Sequence, residues 1–231
     1  MLSPLISVVI PVYNEAGTLE TLVGRVLAQP YRMQVILVDD GSTDTSPAVG
    51  RRLAELHAAV EFIAQPENRG KGAALHTGFA HARGELVVVQ DADLEYDPRD
   101  LEHLLEPLLD GRADVVFGSR FLGGGAHRVL NYHHYIANRS LTALSNLLTN
   151  LNLTDMECGY KLFRHEALVR LTLREQRFGF EPEVTAQVAK AGLRVYEVPI
   201  SYSGRSYAEG KKITWRDGVR ALKVITTARF R

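Results

Sequence analysis

Two aspartates one residue apart, Asp91 and Asp93, close the stretch VVVQDAD, and Glu95 stands two residues further on. Carboxylates crowded at this spacing repel one another, so their natural complement is a cation. In an extended segment residues i and i+2 point the same way, and two hard oxygen donors on one side make half of a divalent site. Mg²⁺ takes one or two protein carboxylates and completes its shell with water and phosphate oxygens. Glu95 would supply a third ligand, directly or through water. The competing reading is that these acids cap the helix beginning near Pro98. Asp97, immediately before that proline, already suits capping, and one acid is enough for it.

A second acidic cluster, VDDGSTD, holds Asp39 and Asp40. Asp40-Gly41 makes a turn, and Ser42, Thr43 or Asp44 can cap the next helix. A carboxylate left over would accept a hydrogen bond from a nucleobase N–H or a ribose hydroxyl; the turn and ligand readings weigh equally. In PVYNE, Pro11 ends a strand, Asn14 can cap a helix, and Tyr13 can stack on a base. NRGKGAAL is a poor phosphate loop, since no Ser or Thr follows Lys71 and the glycine spacing is wrong. A glycine-rich helix start is the better reading, with Lys71 still able to reach an anion.

These residues must be positioned by something. Residues 5–11, 35–38, 60–64, 86–89 and 115–117 are short, β-branched and bounded by turn residues, as buried parallel strands should be. Helical stretches lie between them, near 19–28, 46–57, 73–83 and 101–109. Such alternation predicts a right-handed α/β sheet with ligands at the carboxyl ends of its strands, where both acidic clusters fall. After Arg120 the rhythm breaks. FLGGGAHR reads as a flexible glycine loop; a helix carries Leu141, Leu144, Leu148 and Leu151; another starts near Pro182 and ends near Gly192; RVYEVPISY alternates as a strand. A last helix carries Trp215, Val219 and Leu222 on one stripe and Arg216, Arg220 and Lys223 on the next.

The 231 residues suit one large domain, or one with an appendage, and 45% hydrophobic against 23% charged residues is ordinary for a globular chain. A net charge of zero conceals an asymmetry. From Gly204 to Arg231 eight Lys/Arg face two acids, a surplus of six that the preceding residues balance with a deficit of six. A basic tail on an acidic body suggests an anionic partner, or simply a solvated basic helix. Nucleic acid is disfavoured, because the tail lacks interleaved aromatics and the acidic sheet edge would repel a phosphate backbone. A lone cysteine, Cys158, excludes an intrachain disulfide. No signal peptide and no run of the roughly 18–20 apolar residues needed to span a bilayer is seen.

PVYNE, VDDGSTD, NRGKGAAL, DADLEYDP and GSRF, in this order and spacing, resemble the inverting family 2 glycosyltransferases with the GT-A fold. DMECGYKLFRHEAL, GFEPEV and VPISYSGRSYAEGKKITW resemble its polyprenyl-phosphate branch, the dolichol-phosphate mannose and glucose synthases. The resemblance implies a mostly parallel, Rossmann-like sheet flanked by helices, with acceptor-side helices toward the C-terminus. It divides the chain into a catalytic domain, 1–213, and a basic amphipathic helix, 214–231. It assigns Pro11, Tyr13, Glu15, Val38 and Asp40 to the nucleotide of a sugar donor, with Lys71 beside them. Asp91, Ala92 and Asp93 match the family's DxD, which holds Mg²⁺ or Mn²⁺ against the donor diphosphate; Glu95 stands where the mannose synthases often have glutamine. Arg205, Lys211 and Lys212 match a basic loop closing over that diphosphate. Arg120 matches an arginine facing the acceptor phosphate, with His134, Asn138 and Arg139 in place of the further basic residues of the mannose synthases. DMECGYK is closer to the glucose synthases and favours UDP-glucose over GDP-mannose.

The chemistry implied is transfer of a hexose, with inversion, from a nucleotide-diphosphate sugar to a polyprenyl or dolichyl phosphate. A lipid phosphate arrives ionised and needs cations to hold it, whereas a hydroxyl acceptor would need a base such as Asp155 or Glu157. With a phosphate acceptor, Asp155 becomes an orienting or structural residue. Peripheral contact with the cytoplasmic membrane face is expected through the 141–151 stripe and the last helix, or else both stripes pack on the core or a second copy. Recruitment by a membrane partner protein is the other expected route. The rival readings are a family 2 enzyme acting on a hydroxyl, a nucleotidyltransferase (disfavoured because PVYNEAG is no glycine-rich phosphate loop), and a nucleotide-sugar-binding protein without turnover.

Overall fold

The protein, described here by a computed structural model, is defined for residues 4–123, 128–129, 132–205 and 215–228, without the side chains of 215 and 216. Its elements run β1 (Leu5–Val12), α1 (Leu19–Leu27), β2 (Arg32–Asp39), α2 (Ser46–Leu56), β3 (Val60–Ala64), α3 (Lys71–His81), β4 (Leu86–Val89), a 3-10 turn (Pro98–Asp100), α4 (Leu101–Leu109), β5 (Val115–Ser119), α5 (Tyr132–Thr149), β6 (Lys161–Arg164), α6 (His165–Leu168), α7 (Phe180–Lys190), β7 (Val195–Pro199) and α8 (Trp215–Ala228). The strands form one sheet in the order β3-β2-β1-β4-β6-β5-β7. β6 runs antiparallel to both its neighbours; the remaining pairings are parallel.

The alternation of side chains along each strand splits the core in two. Ile6, Val8, Ile10 and Val12 of β1, with Val35 and Leu37 of β2, meet leucines of α1, α2 and α4 on one face. Val9, Ile36 and Val38 face the other way, toward Leu75 of α3 and Phe180, Val184 and Val188 of α7. Burial on both faces is why these strands read as unbroken Val/Ile/Leu runs, each fully buried side chain contributing about 1.5–3 kcal/mol. α3 lies so close that a Cβ on Gly78 would stand 2.2 Å from Val9 Cγ1.

Leu141, Leu144, Leu148 and Leu151 pack against this second core. Of the two roles expected for this stripe, membrane docking and packing on the core, the structure shows the second, with α7 and α8 lying against α5. The large apolar side chains that α5 does expose are Tyr132, Tyr135 and Ile136 at its start and Leu147 near its end. α8 buries Ala221, Val224, Ile225 and Ala228 and leaves Val219 and Leu222 exposed. Among the described residues no helix is long and apolar enough to cross a membrane.

β6 is absent from the sequence reading. It is only four residues long and begins with a lysine that is fully buried. Lys161 Nζ donates to the carbonyls of Met156 (3.0 Å) and Cys158 (2.7 Å) and sits 4.0 Å from the centre of the Phe117 ring. A cation at a core position defeats any hydrophobic-period search.

Candidate active site

β4 ends at Val89, two residues short of Asp91, and the chain then turns, with Leu94 at φ +61°. A leucine in the left-handed region costs roughly 1–2 kcal/mol, here held by packing of Leu94 against the core. The expectation of an extended segment presenting its acids side by side is thus corrected. Asp91 and Asp93 reach different cations. Asp91 Oδ1 lies 2.7 Å from Lys71 Nζ, which also meets Glu181 Oε1 at 2.9 Å. Asp93 Oδ2 accepts from Arg205 Nη2 at 3.0 Å, and its Oδ1 accepts the Glu95 N–H.

Arg205 gathers acids from three parts of the chain. Its guanidinium reaches Glu15 Oε1 (3.1 Å), Asp93 and Glu95 Oε1 (3.3 Å), and its backbone N–H also donates to Glu95. Tyr202 donates its hydroxyl to Glu95 Oε2 at 2.9 Å. Glu95 is therefore committed to Arg205 and Tyr202, not to a ligand set with Asp91 and Asp93. Among the described residues no three His, Cys, Asp or Glu side chains converge as a metal cage. Asp91 and Asp93 still fit a divalent ion of the kind that takes two carboxylates and borrows the rest of its shell from phosphate oxygens and water. The site is built to hold positive charge: burial, then Asp91 and Glu95, lifts the Asp93 carboxyl to about 7 against the pull of Arg205. Burial alone would lower the Lys71 ammonium, yet Asp91 and Glu181 hold it above its ordinary value.

Lys71 opens α3 as the glycine-rich helix start foreseen, behind Gly70 at φ +103°. Asp40 secures that turn, its two oxygens accepting the N–H groups of Arg69 (2.9 Å) and Gly70 (2.8 Å). Burial raises its pKa despite these bonds. The oxygen left over at the end of β2 belongs instead to Asp39, whose Oδ1 is buried without a hydrogen-bond partner while Oδ2 accepts from the Ser42 N–H. Pro11 and Val38 stand opposite each other in the β1–β2 register, Tyr13 is 36% exposed, and Ala92 is buried in the core. Lys211 and Lys212 lie outside the described residues.

Arg120 follows β5. Its Nε and Nη2 donate to Asp155 Oδ2 (2.6 Å) and Oδ1 (2.7 Å), and its backbone N–H adds a third bond to Oδ2 (3.0 Å). Asp155 is fully buried and the Arg120 side chain 12% exposed. This fork is the pairing that an orienting or structural Asp155 would make. The guanidinium also lies 5.2 Å from the Tyr202 ring centre and 5.4 Å from that of Phe121, which meets Tyr135 edge-on at 5.1 Å. On α5, Arg139 Nη1 donates to the carbonyl of Thr154, next to Asp155, and His134 and Asn138 stand one turn apart on one face.

Three contributors escaped the sequence reading. Glu181, in the first turn of α7, also holds Lys71; GFEPEV reads as a family motif and a helix start, with no role assigned to Glu181. Gly159 lies against the same pair, where a Cβ would stand 2.5 Å from Asp91 Oδ2 and 2.9 Å from Lys71 Nζ. Tyr202 joins Glu95 to the Arg120 cation; it lies inside the VPISYSGRSYAEGKKITW motif, where nothing singles it out. The arrangement has two halves, a cation-laced acid cluster at the tip of β4 and a carboxylate-braced arginine at the tip of β5, with Asp155 to Gly159 running between them.

Known proteins share this plan. Residues 7–172 match the model of "Glycosyl transferase family 2". A polyprenol monophosphomannose synthase from Mycolicibacterium smegmatis is 31% identical over 211 residues, 88% of this chain and 79% of its own length. The glycosyltransferase AglD of Haloferax volcanii is 32% identical over 85% of this chain, which spans only 33% of that relative. Among solved structures, glucosyl-3-phosphoglycerate synthase of Mycobacterium tuberculosis, crystallised with Mn²⁺, UDP and glucosyl-3-phosphoglycerate, superposes with a TM-score of 0.74 at 20% identity, covering 98% of this chain and 80% of that one. The same enzyme has been crystallised with Mg²⁺ and UDP. The sheet is the GT-A arrangement that the motifs implied, and the chain is a glycosyltransferase that belongs to glycosyl transferase family 2.

Proposed function

We propose that the enzyme transfers a hexose from a nucleotide-diphosphate sugar, UDP-glucose or GDP-mannose, to a polyprenyl phosphate. The observation that carries the acceptor half is the setting of Arg120, a braced guanidinium whose neighbours Phe121 and Tyr135 continue into exposed Leu122, Tyr132 and Ile136. A phosphate beside an apolar surface is what a lipid phosphate presents, and the arginine fork matches its oxygens. The relatives named for polyprenyl-phosphate substrates support the same reading.

On the donor side, Asp91 and Asp93 would hold Mg²⁺ or Mn²⁺, which when bound would draw charge from the departing diphosphate. Lys71 and Arg205 already neutralise these acids; with donor present Arg205 would turn part of its fork toward phosphate oxygens and stabilise the charge that develops there. Tyr13, exposed at the end of β1, would stack on the base, and the unpartnered Asp39 Oδ1 would accept one of its N–H groups. Asp155 would keep Arg120 aimed at the acceptor phosphate. No general base is required, because the nucleophile is already an anion. Exposed Val219 and Leu222 beside Lys223 on α8 would rest against the bilayer that carries the acceptor.

The test is direct. Purified protein is incubated with Mg²⁺, a short-chain polyprenyl phosphate and a panel of UDP- and GDP-sugars, and the lipid product is identified by mass. A polyprenyl-phosphate hexose is the expected product. Transfer to a sugar or protein hydroxyl with none to the lipid phosphate would overturn the acceptor assignment, and donor binding without transfer to any acceptor would overturn turnover itself.

A further inference from the structure

The loop that braces Arg120 is itself braced from behind. Residues 152–155 belong to no helix or strand, so no ladder fixes the carboxylate that grips the arginine. The anchor is Glu197 of β7, opposite Phe117 in the β5–β7 register. Its Oε1 accepts the N–H groups of Thr154 (2.9 Å) and Asp155 (3.0 Å), and its Oε2 accepts the Thr154 N–H (2.9 Å) and hydroxyl (2.9 Å). The Thr154 hydroxyl lies in turn 2.6 Å from Ser119 Oγ, and that oxygen accepts the N–H of Phe121. Arg120 is thereby flanked on both sides by residues tied into one network.

We infer that Glu197 is a positioning residue for acceptor binding, acting through Asp155 to hold the Arg120 guanidinium in the attitude that receives the acceptor phosphate. The inference rests on the acceptor role proposed for Arg120. The chemistry of Glu197 is specific to a carboxylate. Three donors converge on two oxygens, so an amide would replace one acceptor with an N–H₂ group facing N–H and O–H donors. Among the described residues its hydrogen bonds go to Thr154 and Asp155, not to the acids and cations of the donor half. Its loss should therefore separate the two substrates, which a purely structural role would not do.

The experiment measures steady-state kinetics with short-chain polyprenyl phosphate and binding of UDP with Mg²⁺ for four variants, Glu197→Gln, Glu197→Asp, Thr154→Val and Arg120→Lys, together with their melting temperatures. Glu197→Gln should raise the acceptor KM by about tenfold or more, the usual effect of losing a partner that orients a ligand-binding side chain, and leave UDP affinity within about twofold. Glu197→Asp, which keeps the charge, should recover part of the loss. Thr154→Val removes only the hydroxyl and should shift the acceptor KM in the same direction by less; it carries the test should Glu197→Gln fail to fold. An unchanged acceptor KM in both Glu197→Gln and Thr154→Val, or an equal loss of UDP affinity, overturns the inference. If Arg120→Lys alone raises the acceptor KM, only the relay falls; if Arg120→Lys leaves it unchanged, the acceptor assignment and the relay fall together.

Discussion

Replacing Asp155 with asparagine probes the hinge of the acceptor site. The carboxylate is fully buried and takes three hydrogen bonds of 2.6–3.0 Å from Arg120. Asparagine keeps the shape but offers one acceptor oxygen, turns an N–H₂ toward the guanidinium, and leaves a largely buried cation without its counter-charge. Breaking such a pair from one side costs about 3–5 kcal/mol. For a domain of this size each kcal/mol moves the melting temperature by about 2–4 °C, so the variant should melt about 6–20 °C lower. Turnover with saturating acceptor should survive better than the acceptor kcat/KM, which should fall by about 100-fold because a displaced arginine misplaces the nucleophile. Removing both charges, as Asp155→Leu with Arg120→Met, should recover most of the stability and none of the acceptor binding, since a buried pair can be exchanged for apolar side chains at little net cost. Scanning calorimetry and lipid-product kinetics on Asp155→Leu, Arg120→Met and the double variant close the cycle. Additive effects within about 0.5 kcal/mol would show that the two side chains act independently. A destabilised Asp155→Asn with unchanged acceptor KM would show that the pair is scaffold only.

Further consequences follow from the same geometry. Asp91→Asn or Asp93→Asn should lower turnover by about 100-fold and weaken its dependence on added Mg²⁺, measured by metal titration of the initial rate. Gly159→Ala places a methyl against Asp91 and Lys71 at 2.5 and 2.9 Å; UDP–Mg²⁺ affinity should fall at least about tenfold while the melting temperature changes by only a few degrees, because the backbone there needs no glycine-only conformation. Glu157 has a buried, unpartnered Oε1, and burial with neighbouring Glu181 pushes its carboxyl up to about 8. A carboxyl raised on folding holds its proton where the unfolded chain has lost it, so wild-type stability should fall as pH rises from about 4.5 to about 8. Glu157→Gln removes that dependence, and its advantage in melting temperature should widen across this window and level off above it; a gap independent of pH would refute the assignment.

The sheet was legible because its strands are buried on both faces and bounded by turns. The bounds expected for β3, β4 and α4 match the observed ones, and the other elements of the first half differ by one to three residues, the most at the start of β2. β6 was not legible, because a buried lysine satisfied by carbonyls three and five residues away has no signature in composition or period. The acid cluster of the site was legible by residue type and place, yet its pairing was not. Nothing local in DADLE shows that Leu94 turns left-handed, or that Arg205, 112 residues from Asp93 in sequence, supplies the counter-charge. Asp40 and Asp39 illustrate the same limit. Both sit at a strand end, and only the fold decides that one is spent on the Arg69 and Gly70 amides while the other keeps an oxygen to offer. The leucine stripe of α5 showed amphipathicity correctly, but amphipathicity names no partner, and here the partner is the core.

The account depends most on a donor diphosphate and its divalent ion meeting at the tip of β4. Crystals grown with UDP and Mn²⁺, with data collected at a wavelength where manganese scatters anomalously, test this in one measurement. The account predicts an anomalous peak bonded to Asp91 or Asp93 and to both phosphates of UDP, with Arg205 drawn toward the diphosphate. UDP bound with its phosphates away from these aspartates, or the peak at another group of residues, would contradict it.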